Sequence, residues 1–317
     1  WMISTSCLGN TSQVLKTYVP DDNFENYLEN NGMGDGIALN DSVLTANIDT
    51  VTFLNVNNQN ISDLTGIEDL IALTDLDCGF NQITSVDLSN NINLINLEFW
   101  FNDLTSIDLT NNINLIMISV EHNEITSLDV SSNILLEDLY IENNQLTSID
   151  LSNNSLLDDL ICKGNQITQL DLSQNTNLTY LRVDSNQLTS LDLSSNASLV
   201  NLFCQSNQLI SLDLRNGNNQ NLAALVISGN PLLSCVNVDD SIYSNVTWLP
   251  FNGFWPWEFD LQHYFSNDCS VSAIDEITTN KELIKTIDVL GRETKGKKNE
   301  PLFYIYDDGT VEKKIII

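Results

Sequence analysis

Asparagine recurs along this sequence at a strict interval of 21 residues and then once more after 23 residues. A fixed interval of this kind is typical of a solenoid, in which each repeat forms one turn and contacts only its neighbours. Because one turn cannot bury its own apolar face, the stability of such a chain comes from stacking. The recurrent residues are Asn81, Asn102, Asn123, Asn144, Asn165, Asn186, Asn207 and Asn230.

The residues around each asparagine follow the pattern Leu-x-x-Leu-x-apolar-x-x-Asn-x-apolar, which segments 136–146 and 178–188 show in full. Alternation in the Leu-x-apolar portion predicts a short strand whose apolar side chains point inward. The second half of each repeat is too short for a full helix and is expected to be extended or turn-like. The stacked strands are then expected to form one parallel sheet over a continuous apolar core.

This pattern resembles that of the leucine-rich repeat family of bacterial proteins. The resemblance covers about Val51 to Leu233, with eight full copies and a degenerate first copy in which Gln59 replaces the asparagine. It implies a mostly β solenoid, coiled as a right-handed superhelix with a parallel sheet on its concave side. It also implies that the recurrent asparagines are structural and close each turn by bonding neighbouring backbone groups.

Caps are expected at both ends of the repeats at 51–233, because open solenoid ends expose apolar surface and strand edges. The N-terminal segment and cap is residues 1–50, where Phe24, Tyr27 and Leu28 share one face of a predicted helix. The C-terminal cap is residues 234–270, and a sorting-type β module follows at 271–317.

The C-terminal cap combines cysteines with a cluster of aromatic residues. Cys235 and Cys269 flank the segment, and we predict a disulfide bond between them, which implies an oxidising compartment. Between them lie nine aromatic residues, and 250–257, with two prolines and a glycine, is predicted to be an irregular loop outside the strand ladder. We favour the interpretation that these aromatic rings cover the open C-terminal end of the solenoid. The alternative is a second binding platform made of Phe254, Trp255 and Trp257.

Acidic residues dominate the charge, because 43 Asp and Glu stand against 12 Lys and Arg, for a formal net charge of -31. Such a surface repels phosphate backbones, so we expect no nucleic-acid partner, and two histidines argue against a His-rich zinc site. No window approaches the ~18 apolar residues of a transmembrane helix. Residues 271–317 hold 8 of the 12 basic groups, which indicates a junction near 270–274.

The tail closely resembles the C-terminal sorting domain of the type IX secretion system of Bacteroidetes-type bacteria, such as Flavobacteria, over about residues 272–317. The likeness rests on the Asp-Val-Leu-Gly-Arg-Glu turn at 288–293, the Tyr-Asp-Asp-Gly turn at 306–309 and the basic, apolar terminus. It implies export through the periplasm to the medium or the outer cell surface, with the type IX machinery as a partner. The alternative is a small β module that packs on the cap.

Outward-facing positions of the predicted sheet are not uniformly polar, as solubility alone would require. Large rings lie among acids and two cations, and amphipathic rings beside charges are typical anchors of binding surfaces. The alternative is that the rings stack along the ladder and cover the strands. We predict that this concave face binds a protein or glycan ligand. The predicted residues are Glu98, Trp100, Glu121, Tyr140, Glu142, Lys163, Tyr180, Arg182 and Phe203.

A second ladder, of aspartates, runs from Asp87 to Asp213 in the return half of the repeats. Such a column is either a file of calcium ligands or, as we favour, a set of turn-capping side chains repeated with the unit. No calcium-loop motif is present in the sequence. We therefore predict no metal or other cofactor, with calcium as the alternative.

Motifs of nucleophilic, phosphate-binding or zinc-dependent catalysis are absent from the sequence. Glu121 and Glu142 are expected to lie ~5 Å apart, near the spacing of the carboxylates in retaining glycosidases, but on an open and wet face. We therefore predict a secreted or cell-surface binding protein that is not an enzyme. The alternative is a calcium-stabilised structural or adhesive solenoid without a discrete ligand site.

Overall fold

The computed structural model describes residues 14–248, 257–270, 283–288, 292–295, 301–306 and 311–315. The chain divides into two compact units, Trp1–Cys269 and Ser270–Ile317. Strands are numbered β1 to β19 and helices α1 to α3 in chain order. No helix of the described residues is long and apolar enough to cross a membrane.

The repeats form one long parallel sheet of ten short strands, which confirms the predicted fold class. The middle residue of each three-residue strand in this sheet is buried, because successive side chains of a strand point to opposite faces. Paired residues lie one repeat apart, as Leu97 with Ile118 and Ile118 with Leu139. The strands are β3 (Phe53–Asn55), β4 (Asp75–Asp77), β5 (Asn96–Glu98), β6 (Met117–Ser119), β7 (Asp138–Tyr140), β8 (Asp159–Ile161), β9 (Tyr180–Arg182), β11 (Asn201–Phe203), β13 (Ala224–Val226) and β15 (Trp257–Glu258).

The return half of each repeat is extended or turn-like, as its length predicts. Towards the C-terminal end of the repeats, the return halves form a second parallel sheet of four strands. Two return halves contain short 3-10 turns, at Ile67–Asp69 and at Asn219–Asn221. A continuous core of buried leucine, isoleucine and valine fills the interior. The four strands are β10 (Ser190–Asp192), β12 (Ser211–Asp213), β14 (Cys235–Asn237) and β16 (Tyr264–Ser266).

The recurrent asparagines are buried and join successive turns. Asn144 Nδ2 donates to the carbonyl oxygen of Val120 in the preceding turn at 2.9 Å and to that of Ile141 in its own turn at 3.2 Å. Its Oδ1 accepts the backbone N–H of Ile125 at 3.0 Å. One side chain thus satisfies several buried backbone groups that no strand partner reaches.

The N-terminal cap is a helix packed on the first turns. Helix α1 (Asp22–Asn30) is capped by Asp21, whose carboxylate accepts the backbone N–H groups of Asn23 and Phe24. Phe24 and Leu28 are fully buried, so the predicted capping helix is confirmed. Two antiparallel strands and one short helix complete the cap. They are β1 (Lys16–Tyr18), β2 (Ser42–Leu44) and α2 (Thr45–Ile48).

The C-terminal cap is closed by a disulfide bond between Cys235 and Cys269. Helix α3 (Ser241–Thr247) leads to the buried Trp248, whose indole stacks on that of Trp257 with the ring centroids 5.7 Å apart. Trp257 also joins the long sheet beside Leu225. The prediction that 250–257 lies outside the ladder was therefore wrong at its last residue, because the backbone resumes strand pairing directly after Pro256. Phe254 and Trp255 lie outside the described residues.

The second unit contains an antiparallel sheet in the order β17 (Leu283–Ile287), β18 (Pro301–Tyr306) and β19 (Val311–Ile315). Arg292 and Asp288 form an ion pair at 2.7 Å next to β17. Residues 289–291 and 307–310, which belong to the two turns that carry the resemblance to a sorting domain, lie outside the described residues.

Candidate ligand-binding surface

The sheet face is the set of outward side chains of β3 to β9, β11 and β13, together with the residue two positions after each of these strands. All nine residues that the sequence predicts for ligand binding lie on this face, and each is half-buried. Alternation along the strand places them there, since Phe99, between Glu98 and Trp100, is fully buried. The face divides into two halves of different electrostatic character.

The N-terminal half of the sheet face contains a shallow acidic groove of about 270 Å³. Burial and repulsion from Asp77 raise the pKa of Glu98. Burial and neighbouring carboxylates also raise the pKa of Glu121, Asp138 and Asp159. Within the described part of the chain, no lysine or arginine lies within 4.0 Å of these four carboxylates. The groove is lined by Phe53, Asp75, Leu76, Asp77, Asn96, Glu98, Met117 and Asp138.

Two of the predicted ring residues act on these carboxylates. The Trp100 side chain partly offsets the rise in the pKa of Glu98, and the Tyr140 side chain partly offsets the rise in the pKa of Asp138. Burial, together with the charges of Asp138 and Asp159, raises the pKa of Tyr140 to about 12, so its hydroxyl remains a donor at neutral pH. The polar groups of these two rings are therefore electrostatically coupled to the carboxylates beside them.

The middle of the sheet face carries a looser ionic cluster. Glu142 Oε1 lies 3.9 Å from Lys163 Nζ and 3.9 Å from His122 Nε2. Glu121 accepts a hydrogen bond from the hydroxyl of Ser119 at 2.6 Å instead. The two glutamates considered for glycosidase chemistry thus have different partners, and neither lines the acidic groove.

The C-terminal half of the sheet face neutralises its own charge. Arg182 Nε donates to Asp184 Oδ1 at 2.9 Å, and the Arg182 guanidinium lies 5.9 Å from the ring centroid of Phe203. Tyr180 packs beside Phe203, with the centroids 5.6 Å apart. This half presents rings and a paired arginine rather than carboxylates that lack a cation.

The aspartate ladder of the return half behaves in the opposite way to the groove. Asp129 accepts hydrogen bonds from the hydroxyl and the backbone N–H of Ser131, and these bonds lower the pKa of Asp129. Hydrogen bonds from the residue two positions later hold down the pKa of the equivalent groups in the same way. They are Asp87, Asp108, Asp150 and Asp171.

One group of three carboxylates in the described residues brings its oxygen atoms within 4.8 Å of one another, namely Asp22, Glu25 and Asp41. Glu25 is buried and accepts the backbone N–H groups of Asn40 and Asp41 at 2.9 Å and 3.0 Å. Through these hydrogen bonds, Glu25 anchors the loop that follows α1.

Phe80, Phe101 and His122 form an exposed stack that sequence reasoning missed, and we call it the aromatic file. Each directly precedes a ladder asparagine in three successive repeats. The ring centroids of Phe80 and Phe101 lie 4.8 Å apart with an 11° interplanar angle, and those of Phe101 and His122 lie 3.9 Å apart at 8°. Trp100 meets Phe80 edge to face at 4.4 Å, which joins the file to the sheet face.

The backbone at the aromatic file is left-handed, with φ values of 52° at Phe80, 52° at Phe101 and 55° at His122. This conformation costs a residue with a Cβ atom about 1–2 kcal/mol. The other repeats fill the same position with small or turn-forming residues. These are Asn58, Asn143, Gly164, Ser185, Ser206 and Gly229.

Gly79 allows Trp100 to lie across the preceding turn. A Cβ atom added to Gly79 would come within 2.5 Å of Trp100 Cε2, so only glycine leaves room for the indole in this position. The missing side chain at Gly79 and the large ring at Trp100 occupy equivalent positions in adjacent repeats. The pair is therefore one packing unit at the border of the acidic groove.

Parallel strands, asparagine ladders and a capped core define a leucine-rich-repeat solenoid. Among solved structures, internalin C2 from Listeria monocytogenes has this fold, with a TM-score of 0.50 and 23% identity over 70% of this chain and 97% of that chain. The functional domain of InlJ from Listeria monocytogenes, which includes a cysteine ladder, is 27% identical over 71% of this chain and 67% of that chain, with a TM-score of 0.38.

In sequence, internalin J of Listeria monocytogenes serotype 4b is 35% identical over 89 residues, which are 28% of this chain. The match spans 9% of the length of internalin J. No protein-family model matches the chain. The relatives and structural neighbours named here are thus bacterial leucine-rich-repeat proteins of the internalin type.

Proposed function

We propose that this protein is a non-catalytic binding protein. Its sheet face holds a polypeptide ligand by pairing with the lysine and arginine side chains of that ligand. The observation that carries the proposal is a set of partly buried carboxylates on the sheet face, at Glu98, Glu121, Asp138 and Asp159, with no lysine or arginine of the described residues within 4.0 Å. Burial and repulsion from neighbouring carboxylates raise their pKa values. A ligand ammonium or guanidinium group would relieve their repulsion, and it would be more strongly held there than at the protein surface.

The rings of the sheet face supply the apolar part of the proposed interface. Trp100 and Tyr140 lie beside Glu98 and Asp138, so one ligand could contact the rings and the carboxylates together. Tyr180 and Phe203 extend the same face beyond the acidic groove. Aromatic anchors next to charges that fix register are the arrangement that specific protein interfaces favour.

The proposal is tested by binding of a lysine- and arginine-rich peptide, measured by calorimetry on the full chain. We expect the triple substitution Asp77→Asn, Glu98→Gln and Asp138→Asn to weaken the affinity about tenfold or more, since three ion pairs contribute roughly 0.5–1 kcal/mol each. A neutral or anionic glycan that binds the sheet face in place of the peptide would contradict the proposal.

The matched control removes the same number of charges from the aspartate ladder, by Asp108→Asn, Asp129→Asn and Asp150→Asn. An asparagine there still accepts the backbone N–H group, so the turns are retained. We expect this control to bind the peptide nearly as well as the parent. An equal loss in both variants would mean that the net charge alone attracts the peptide, and the assignment to the sheet face would then be wrong.

We also propose that residues 271–317 direct export through a type IX secretion system, so that the ligand is met at the cell surface or outside the cell. The antiparallel sheet of β17, β18 and β19 and the resemblance of the tail support this proposal. A reporter fused to residues 271–317 should leave the cells of a host that has this system and should be retained when the system is deleted. Retention in both hosts would refute it.

A further inference from the structure

The aromatic file borders a second groove, of about 360 Å³, on the edge of the solenoid beside the sheet face. Phe80 and Phe101 are 45% and 42% exposed, although they belong to a residue type that normally fills cores. The file begins at Phe80, because the equivalent residue one repeat earlier is Asn58. It ends at His122, whose Nε2 lies 3.1 Å from Asn143 Nδ2.

Turn formation does not explain these rings. In all the remaining repeats whose residue at this position is left-handed, that residue is asparagine, serine or glycine. Those residues adopt this backbone conformation more readily than phenylalanine does. Core packing does not explain them either, since Phe80 and Phe101 are exposed and His122 is half-buried at the surface. Three bulky rings in a row at an unfavourable backbone position indicate a surface kept for contact with a ligand.

The polar lining of this groove differs from that of the sheet face. It consists mainly of carboxamides, with Asp103 as its single carboxylate. In the described residues, the side chains of Asn58, Asn60, Gln82 and Asp103 form no hydrogen bond, so their donors and acceptors are free for a ligand. An amide offers both two donor hydrogens and an acceptor oxygen. The groove therefore suits a ligand that carries many hydroxyl groups and no net charge.

We propose that the groove beside the aromatic file binds a neutral saccharide. The rings offer apolar surface to the C–H groups of a sugar, while Asn58, Asn60 and Gln82 pair with its hydroxyls. One carboxylate among the lining residues is too little to favour a cation, and the surrounding negative charge disfavours an anionic sugar. This site is distinct from the acidic groove proposed to bind a polypeptide.

The test uses the full chain on an array of neutral oligosaccharides built from hexoses and N-acetylhexosamines, followed by calorimetry with the tightest binder. The double variant Phe80→Asn and Phe101→Asn gives this turn position the residue it has in neighbouring repeats. We expect it to lose at least tenfold in affinity without a lower unfolding temperature. A second variant, Gln82→Glu, changes an exposed amide to a carboxylate of the same shape and should also weaken binding.

Two controls separate this proposal from the previous one. Ser185→Asn and Ser206→Asn place the same residue at the same turn position away from the groove, and they should bind the saccharide as the parent does. The sheet-face variant with Asp77→Asn, Glu98→Gln and Asp138→Asn should also retain saccharide binding. The proposal is overturned if no neutral saccharide binds, if binding survives Phe80→Asn and Phe101→Asn, or if the file binds a cationic peptide instead.

Discussion

Replacing Asn144 with alanine should lower the unfolding temperature by about 10 °C. The substitution removes the acceptor of the Ile125 N–H group and the donor to the carbonyls of Val120 and Ile141, and it leaves those groups buried without partners. Each buried group without a partner lowers the free energy of unfolding by about 1–3 kcal/mol. In a domain of this size, each kcal/mol lowers the unfolding temperature by roughly 2–4 °C, so the three groups together cause a large shift. Thermal unfolding followed by circular dichroism measures it.

The matched control is Asn143→Gly, one residue earlier. Asn143 has a left-handed φ of 53° and lies at the surface side of the turn, where glycine adopts the same backbone without strain. This variant should unfold within about 2 °C of the parent, as surface changes usually do. Equal shifts in the two variants would contradict a special role for the ladder position.

Removing the disulfide by Cys235→Ser and Cys269→Ser should cost about 4 kcal/mol of stability. The bond joins residues with a sequence separation of 34 and so restricts the unfolded chain. Its removal restores the conformational entropy of that loop in the unfolded state, which lowers the free energy of unfolding. The loss should be centred on the C-terminal cap, where β14 pairs with β16 and Trp248 stacks on Trp257. Guanidinium unfolding followed by tryptophan fluorescence reports on this region.

A reducing agent provides the control for the disulfide. It should shift the parent to the unfolding midpoint of the double variant and should leave the variant itself unchanged. The buried thiols of Cys78, Cys162 and Cys204 are present in both proteins, and burial raises their pKa, so they react slowly in the folded state. A variant that unfolds at the same guanidinium concentration as the oxidised parent would show that the bond does not stabilise the cap.

The regular part of this fold could be predicted from the sequence because it follows from backbone requirements. A strict interval of 21 residues permits one parallel register, and the alternation around Leu97, Ile118 and Leu139 decides which side chains face the core. The same alternation places Glu98, Trp100 and their equivalents outward. Every residue predicted for the sheet face therefore lies where the period puts it.

Features that depend on backbone angles and neighbouring rings were not predictable in this way. The stacking of Phe80, Phe101 and His122 requires a left-handed residue before each ladder asparagine, and alternation does not reveal the sign of φ. A signal was present nevertheless, since Phe-Asn occurs at 80–81 and again at 101–102. Trp257 was misplaced for a related reason, because a proline was taken to end strand pairing.

Charge behaviour also required the structure. The sequence shows two ladders rich in carboxylates but does not indicate that the pKa of Glu98 is raised and that of Asp129 lowered. The difference arises because one group is half-buried beside Asp77, whereas the other receives hydrogen bonds from Ser131. The first arrangement leaves a half-buried carboxylate with no cation within 4.0 Å among the described residues, and the second uses the charge to hold a turn.

The central claim is tested most directly by carbon-13 NMR titration of the aspartate and glutamate carboxyl groups, with and without the cationic peptide. Glu98, Glu121, Asp138 and Asp159 should titrate above their ordinary pKa values and move downward when the peptide binds. The ladder carboxylates, with Asp129 as their example, should titrate below the ordinary value and stay there. Overlapping pKa values in the two sets, or a peptide that shifts both alike, would contradict the account.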